Sequence, residues 1–288
     1  MSFINAHSFV FDGISSDNFN LVICWVNKEL DTSTNGLKKS VRKSESNVSR
    51  YVSNVYGSSV DENISFTFDI AKNDFLPFTK EESIEINAWL TQSNTPRLLH
   101  FNDYEIPSID YYAVCTNIDD IIINGRNAKT VTFETNSPFG FMSEITKKCI
   151  VEESAAITID NLSDTTDGIY YPEIKLITKN AVTIENNTEH KSVTFTPADI
   201  EKDENENYVI SINNRTNIIK DKDGNLISFD KLGWGPDYKS KIISANETEK
   251  YIDYIYWFRL VKGVNKISIY GDCTIEFKYK FPRKVGCV

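Results

Sequence analysis

Apolar and polar positions alternate with a period of two along most of this chain, the mark of strands with one buried face. Phe9 and Phe11 alternate with Val10 and Asp12, and after an Asp12-Gly13 turn Phe19, Leu21 and Ile23 line a second strand. Residues 64–70 (ISFTFDI), 97–101, 111–117, 121–123 and 129–134 repeat the pattern, with an Asn124-Gly125 turn before the last. One segment departs from it. Thr79-Lys80-Glu81-Glu82 has the form of a capping box, Ile86, Trp89 and Leu90 follow at helical spacing, and Ser93-Asn94-Thr95-Pro96 stops the run. The spacing predicts a helix over 80–92 that packs its Trp89 face on a sheet.

Strand patterns resume in the second half, over 156–159, 171–178, 181–185, 192–195, 208–212, 217–220 and 226–228, then over 253–260, 265–270 and 273–280. Short, regularly spaced strands with turn signals predict an antiparallel sandwich or jelly roll. Glu134-Thr135-Asn136-Ser137-Pro138-Phe139-Gly140 reads as a linker, which divides the chain into domains 1–137 and 138–288. The polar stretch 31–63 carries a basic run, Lys38, Lys39, Arg42, Lys43 and Arg50. It reads as a hairpin arm or loop, either docking a partner or simply solvated.

The bulk properties narrow the partners. A length of 288 residues fits two domains, and 40% hydrophobic residues supply a core for each. The formal net charge of -10 argues against a protein that grips nucleic acid, since phosphate neutralisation needs a basic surface. Protein partners are expected instead. Five cysteines (Cys24, Cys115, Cys149, Cys273 and Cys287) form no C-x-x-C pair, which predicts reduced thiols in a protein assembled in a cytoplasm, with no zinc site. No export or membrane-spanning segment is expected. Sequons such as those at Asn186 and Asn214 therefore read as chance matches.

Catalytic signatures are missing from the pattern. His7, His100 and His190 are scattered, and no phosphate loop, dinucleotide fingerprint or nucleophile elbow occurs. No catalytic residue, metal or cofactor is predicted. Asp221-Lys222-Asp223-Gly224-Asn225 fails as a calcium loop, because position six is Leu226 and position twelve Leu232, and it reads as a hairpin turn. Among the aromatics, the 254–258 run (YIYWF) reads as a strand packed on both faces. Trp234, between two glycines, and Tyr238 read as exposed contacts for a sugar or a partner.

Two stretches resemble the siphophage distal tail protein family. The first is Phe9-Val10-Phe11-Asp12-Gly13-Ile14-Ser15-Ser16-Asp17 with Phe19-Asn20-Leu21. Behind it stand the helix ending Asn87-Ala88-Trp89-Leu90, then Pro96-Arg97-Leu98-Leu99, Phe101-Asn102-Asp103 and Tyr111-Tyr112-Ala113-Val114. The second, Trp257-Phe258-Arg259-Leu260, Lys262-Gly263 and Asn265-Lys266-Ile267, resembles the family's final hairpin. The segment 149–244 matches only in general character.

The resemblance implies a mainly β protein: an N-terminal β-barrel or split-barrel-like domain carrying one helix, then a C-terminal β-sandwich likened to galectins and carbohydrate modules. It implies a structural role in the virion tail tip. Six copies would form a ring through their N-terminal domains, joining the tail tube protein to the tail-associated hub protein and in some particles bearing a receptor-binding protein. The alternative is a free-standing carbohydrate-binding sandwich that recognises a host surface glycan. An enzyme stands third.

Overall fold

A computed structural model describes residues 6–24, 63–74, 76–102, 108–123, 125–165, 167–233 and 256–284, and the backbone alone at 39–43, 55–60, 229–230, 238–243 and 249–254. The chain folds as two compact units, Met1–Ser143 with Pro282–Val288, and Glu144–Phe281.

The first unit opens with β1 (Ser8–Phe11), β2 (Ile14–Ser15), a 3-10 turn over Ser16–Phe19 and β3 (Leu21–Cys24). Then come β4 (Lys39–Lys43), β5 (Val55–Val60), β6 (Ser65–Lys72) and the helix α1 (Lys80–Thr91). It continues with β7 (Arg97–Asn102), β8 (Ile109–Ile123), β9 (Arg126–Thr135) and β10 (Gly140–Met142). Its main sheet runs β2-β1-β7-β8-β9-β6-β3, all antiparallel. The sheet curls until its ends meet at one point, where the Ile23 N–H donates to the His7 carbonyl at 2.9 Å. No ladder joins β1 to β3 among the described residues, so the curl is that of a split barrel and not of a closed one. Apart from this sheet, β4 and β5 pair with each other as a hairpin.

Alternation along these strands puts their aromatic and branched residues on one face. Phe9, Phe11, Phe68, Ile70, Leu99, Phe101, Val131 and Phe133 are all buried in a single core. Rings meet edge to face, Phe9 on Phe68 at 5.3 Å and Phe66 on Tyr111 at 4.7 Å. Such pairs add about 0.5–1.5 kcal/mol each beyond the area they bury.

The helix closes this core. The Glu82 N–H donates to Thr79 Oγ1 at 3.2 Å and the Thr79 N–H donates to Glu82 Oε2 at 2.8 Å, so the capping box is formed in both directions. Lys72 Nζ reaches the other Glu82 oxygen at 2.8 Å. That contact, with the Thr79 amide, holds the Glu82 carboxyl below the usual range. Ile86, Trp89 and Leu90 are buried, and Trp89 Nε1 donates to the Phe11 carbonyl at 3.1 Å.

The second unit holds two facing-type sheets, each buried on one side. It contains β11 (Ile145–Val151), β12 (Ser154–Asn161), β13 (Ile169–Tyr170), β14 (Glu173–Thr178), β15 (Val182–Asn186), β16 (Lys191–Phe195), β17 (Tyr208–Asn213) and β18 (Ile218–Lys220). There follow β19 (Tyr238–Ile243), β20 (Glu249–Tyr254), β21 (Leu260–Val261), β22 (Gly263–Tyr270) and β23 (Cys273–Tyr279). One sheet runs β11-β23-β14-β17-β18 and the other β12-β22-β15-β16. Ile174, Leu176, Ile210, Ile212, Ile275 and Phe277 bury one face of the first; Val182, Ile184, Val193, Phe195, Ile267 and Ile269 bury one face of the second. This is the layering of a β-sandwich. The last strand, β24 (Pro282–Arg283), belongs to the first unit, where it pairs with β10.

Three turns that change sheet meet at one end of the sandwich. The Gly271 N–H donates to the Glu153 carbonyl, the Glu153 N–H donates to Asp272 Oδ1, and Thr178 Oγ1 donates to the Asp272 carbonyl, at 2.8, 2.7 and 3.0 Å. A second knot of buried amides serves the loops. Asn186 Nδ2 donates to the Arg259 carbonyl at 3.0 Å and to Asn265 Oδ1 at 2.9 Å, while Asn161 Nδ2 donates to the Leu260 carbonyl at 3.0 Å.

That knot accounts for one correction. The run 253–260 is not a continuous strand: residues 256–259 leave the ladder between β20 and β21. The Arg259 carbonyl bonds Asn186, and Glu189 receives both the Tyr256 hydroxyl at 2.9 Å and the Arg259 Nε at 2.7 Å. Phe258 is buried, while Tyr256 and Trp257 are half-buried. Residues 226–228 likewise form no strand and contribute a single bridge, Lys220 to Leu226.

Candidate functional site

Several titratable groups are tied into the fold. His100 Nδ1 pairs with Asp110 Oδ1 at 3.0 Å across the β7–β8 ladder. Lys129, fully buried, reaches the exposed Asp120 at 2.6 Å. Burial pushes the Cys115 and Cys273 thiols up to about 11, far from the thiolate that nucleophilic chemistry needs. Cys24 and Cys149 are half-buried, and all four are unpaired. The described residues contain no group of three or more His, Cys, Asp or Glu placed to hold a metal ion. None of their helices is long and apolar enough to cross a membrane.

The Asp221 loop is a turn. Asp221 Oδ1 accepts from the Asp223 and Asn225 amides at 2.9 and 2.8 Å, and its Oδ2 accepts from Asn225 Nδ2 at 3.1 Å. The carboxylate is spent on its own backbone. The two sequon asparagines named above are buried with their amides engaged, Asn186 as above and Asn214 through Nδ2 to the Pro172 carbonyl at 2.7 Å. Neither presents an amide nitrogen for modification.

Of the residues singled out in the basic run, Lys39, Arg42 and Lys43 lie on β4, with a register shift between Arg42 and Lys43. Lys38 and Arg50 fall outside the described residues, as does Trp234. Tyr238 starts β19, which pairs with β20.

A surface that no motif announced lies on the outer face of the five-stranded sheet. A cavity of about 280 Å³ is lined by Glu173 and Lys175 of β14, Ser211 and Asn213 of β17, Lys220 of β18 and Lys278 of β23, with Thr216 and Ile218 at its rim. The register explains the grouping. Ser211 stands opposite Lys175 on one side and Lys220 on the other, while Glu173 stands opposite Lys278 and Asn213. Asn213 Nδ2 donates to Glu173 Oε1 at 2.7 Å, and Asn213 Oδ1 accepts from the Arg215 and Thr216 amides at 3.1 and 3.0 Å. These bonds fix the floor and the rim loop together.

Comparisons with known proteins agree with one another. Residues 4–137 match the family described as "Phage tail protein N-terminal domain". A search of curated proteins finds no match to this sequence. Among solved structures, the Dit protein (gp 19.1) of phage SPP1, described as a paradigm of hub adsorption apparatus in Gram-positive infecting phages, aligns with a TM-score of 0.60 at 13% identity. The alignment covers 95% of this chain and 98% of that one. At that identity the match speaks for the fold alone, and the family match speaks for residues 4–137. Residues 4–137 thus match the N-terminal domain of phage tail proteins, and the chain has the fold of the SPP1 Dit protein from end to end.

Proposed function

We propose that this tail protein is the distal hub of a phage or phage-like tail. Six copies close a ring through the first unit, joining the tail tube protein to the tail-associated hub protein, and the ring can carry a receptor-binding protein outside. The role is structural, with no catalytic step, and the particle assembles in the host cytoplasm. The observation that carries the reading is the end-to-end fold correspondence, both units included, with a protein described as a paradigm of hub adsorption apparatus.

Physical features support it. A ring needs different surfaces of neighbouring copies to meet and close. The curled sheet offers strand edges for this: β2 and β3 end it, and beyond Ala113 the long β8 pairs, among the described residues, only with β9. The β4–β5 hairpin, with Lys38, Lys39, Arg42, Lys43 and Arg50 on and around it, is a contact element in this reading. The net charge of -10 suits a conduit that passes DNA without holding it. Reduced thiols suit cytoplasmic assembly. A sugar-binding role resting on Trp234 and Tyr238 has no described side chain behind it.

Labelling tests the placement. Antibodies to this chain, imaged on intact particles by electron microscopy, are expected to decorate the distal end of the tail. Label on the capsid, or along the tube only, would refute the assignment.

A further inference from the structure

The outer face of the five-stranded sheet carries four lysines (Lys148, Lys175, Lys220 and Lys278) against two glutamates (Glu173 and Glu276). It is a positively charged face on a chain whose net charge is -10. Only part of that charge is compensated. Lys148 pairs with Glu276 at 3.4 Å, whereas the side chains of Lys175, which stands opposite Glu276 in the ladder, Lys220 and Lys278 make no ion pair or hydrogen bond among the described residues. Two of the three flank Ser211, one strand away on each side. Strands two apart lie about 10 Å from each other, and a lysine stem reaches about half that way, so both ammonium groups are within reach of an anion placed over the serine hydroxyl.

We propose that this cavity binds an anionic glycan, a sugar unit bearing a carboxylate or a phosphate, with Lys175, Ser211 and Lys220 holding the anionic oxygens. The volume of about 280 Å³ lies at the lower edge of small-molecule pockets and suits one sugar unit. The rest of the lining separates the ligand classes. Glu173 spends one oxygen on Asn213 and keeps the other to accept from a sugar hydroxyl, with the Thr216 hydroxyl beside it as donor or acceptor. An acidic peptide would meet that same carboxylate as a repulsion. A neutral sugar would leave the lysines unused. The inference does not rest on the ring reading, since every residue in it belongs to the second unit.

The test uses the full chain and four immobilised probes at physiological salt: oligogalacturonate, a phosphomannan fragment, a neutral galactan fragment and a poly-glutamate peptide. The expected result is binding of one or both anionic glycans in preference to the neutral one. The double variant K175Q/K220Q should weaken it about ten-fold or more, while K266Q, on the other sheet, leaves it unchanged. Which anionic glycan binds tells carboxylate from phosphate. Equal binding of the neutral fragment, binding of the peptide alone, no binding of either anionic glycan, or affinity untouched by K175Q/K220Q would each overturn the proposal. Circular dichroism of the variants, unchanged for these exposed lysines, separates lost binding from lost folding.

Discussion

Gly271→Ala is expected to cost about 2–5 kcal/mol, from a left-handed backbone and an overpacked contact together. Gly271 sits at φ +103, and a Cβ there would lie 2.5 Å from the Ala181 carbonyl oxygen and 3.4 Å from Val182 Cα. Both neighbours are backbone, so no side chain can swing aside. The turn cannot retreat either, because the Gly271 amide and both ends of Asp272 are bonded to the turns at Glu153 and Thr178. The strain therefore spreads into the point where the chain changes sheet three times. Gly224→Ala is the matched control, at φ +84 with nothing within 4 Å of the added methyl, and should cost only about 1–2 kcal/mol. Urea unfolding of the two variants measures the difference. Equal midpoints would show that the three turns do not lock one another.

The second large effect lies in the other unit. Trp89→Ala should cost about 3–5 kcal/mol. The indole stacks on Phe9 at 5.5 Å and on Phe19 at 4.9 Å, and its N–H holds the Phe11 carbonyl. It thus ties the helix to β1 and to the 3-10 turn over Ser16–Phe19 at once. Trp89→Phe keeps the stacking and removes the donor, and a smaller loss of about 0.5–1.5 kcal/mol is expected from the missing hydrogen bond. Hydrogen exchange locates the damage: protection should fall in β1, β7 and β8 while the sandwich strands keep theirs. A uniform fall through both units, or a loss near zero, would contradict the role assigned to this side chain.

What the sequence shows of this fold depends on how local each signal is. The helix is legible because Thr79, Glu82 and the Ile86, Trp89, Leu90 stripe lie within one short segment. The Asp12-Gly13 turn is legible for the same reason, both residues having positive φ in the structure. β8 is harder, since it reads as two strands. A bulge between Cys115 and Asn117 shifts its alternation, and Asp119 and Asp120 look like a break although the ladder to β9 continues through them. β11 gives almost no signal: it lies at the edge of its sheet, and Thr146, Lys147 and Lys148 put polar groups on both faces. The return of Pro282 and Arg283 to the first unit leaves no mark in composition at all.

The cavity on the outer sheet face is the extreme case. Lys175, Ser211, Lys220 and Lys278 come from four strands spread over residues 175–278, each an ordinary outward-facing position of an alternating strand. Only pairing register brings them together. Trp234, by contrast, drew notice through its local context, a tryptophan between glycines. Composition reaches as far as the sign of the net charge, and it points away from a positive face that the fold nonetheless builds.

The central claim is a closed ring of this chain at the tail tip, and its mass in solution tests it most directly. Light scattering across a concentration range, alone and with the tail tube protein, should give the mass of six copies or a dimer–trimer–hexamer series ending there. A chain that stays monomeric at every concentration, with the tube protein present as well as without it, would contradict the ring.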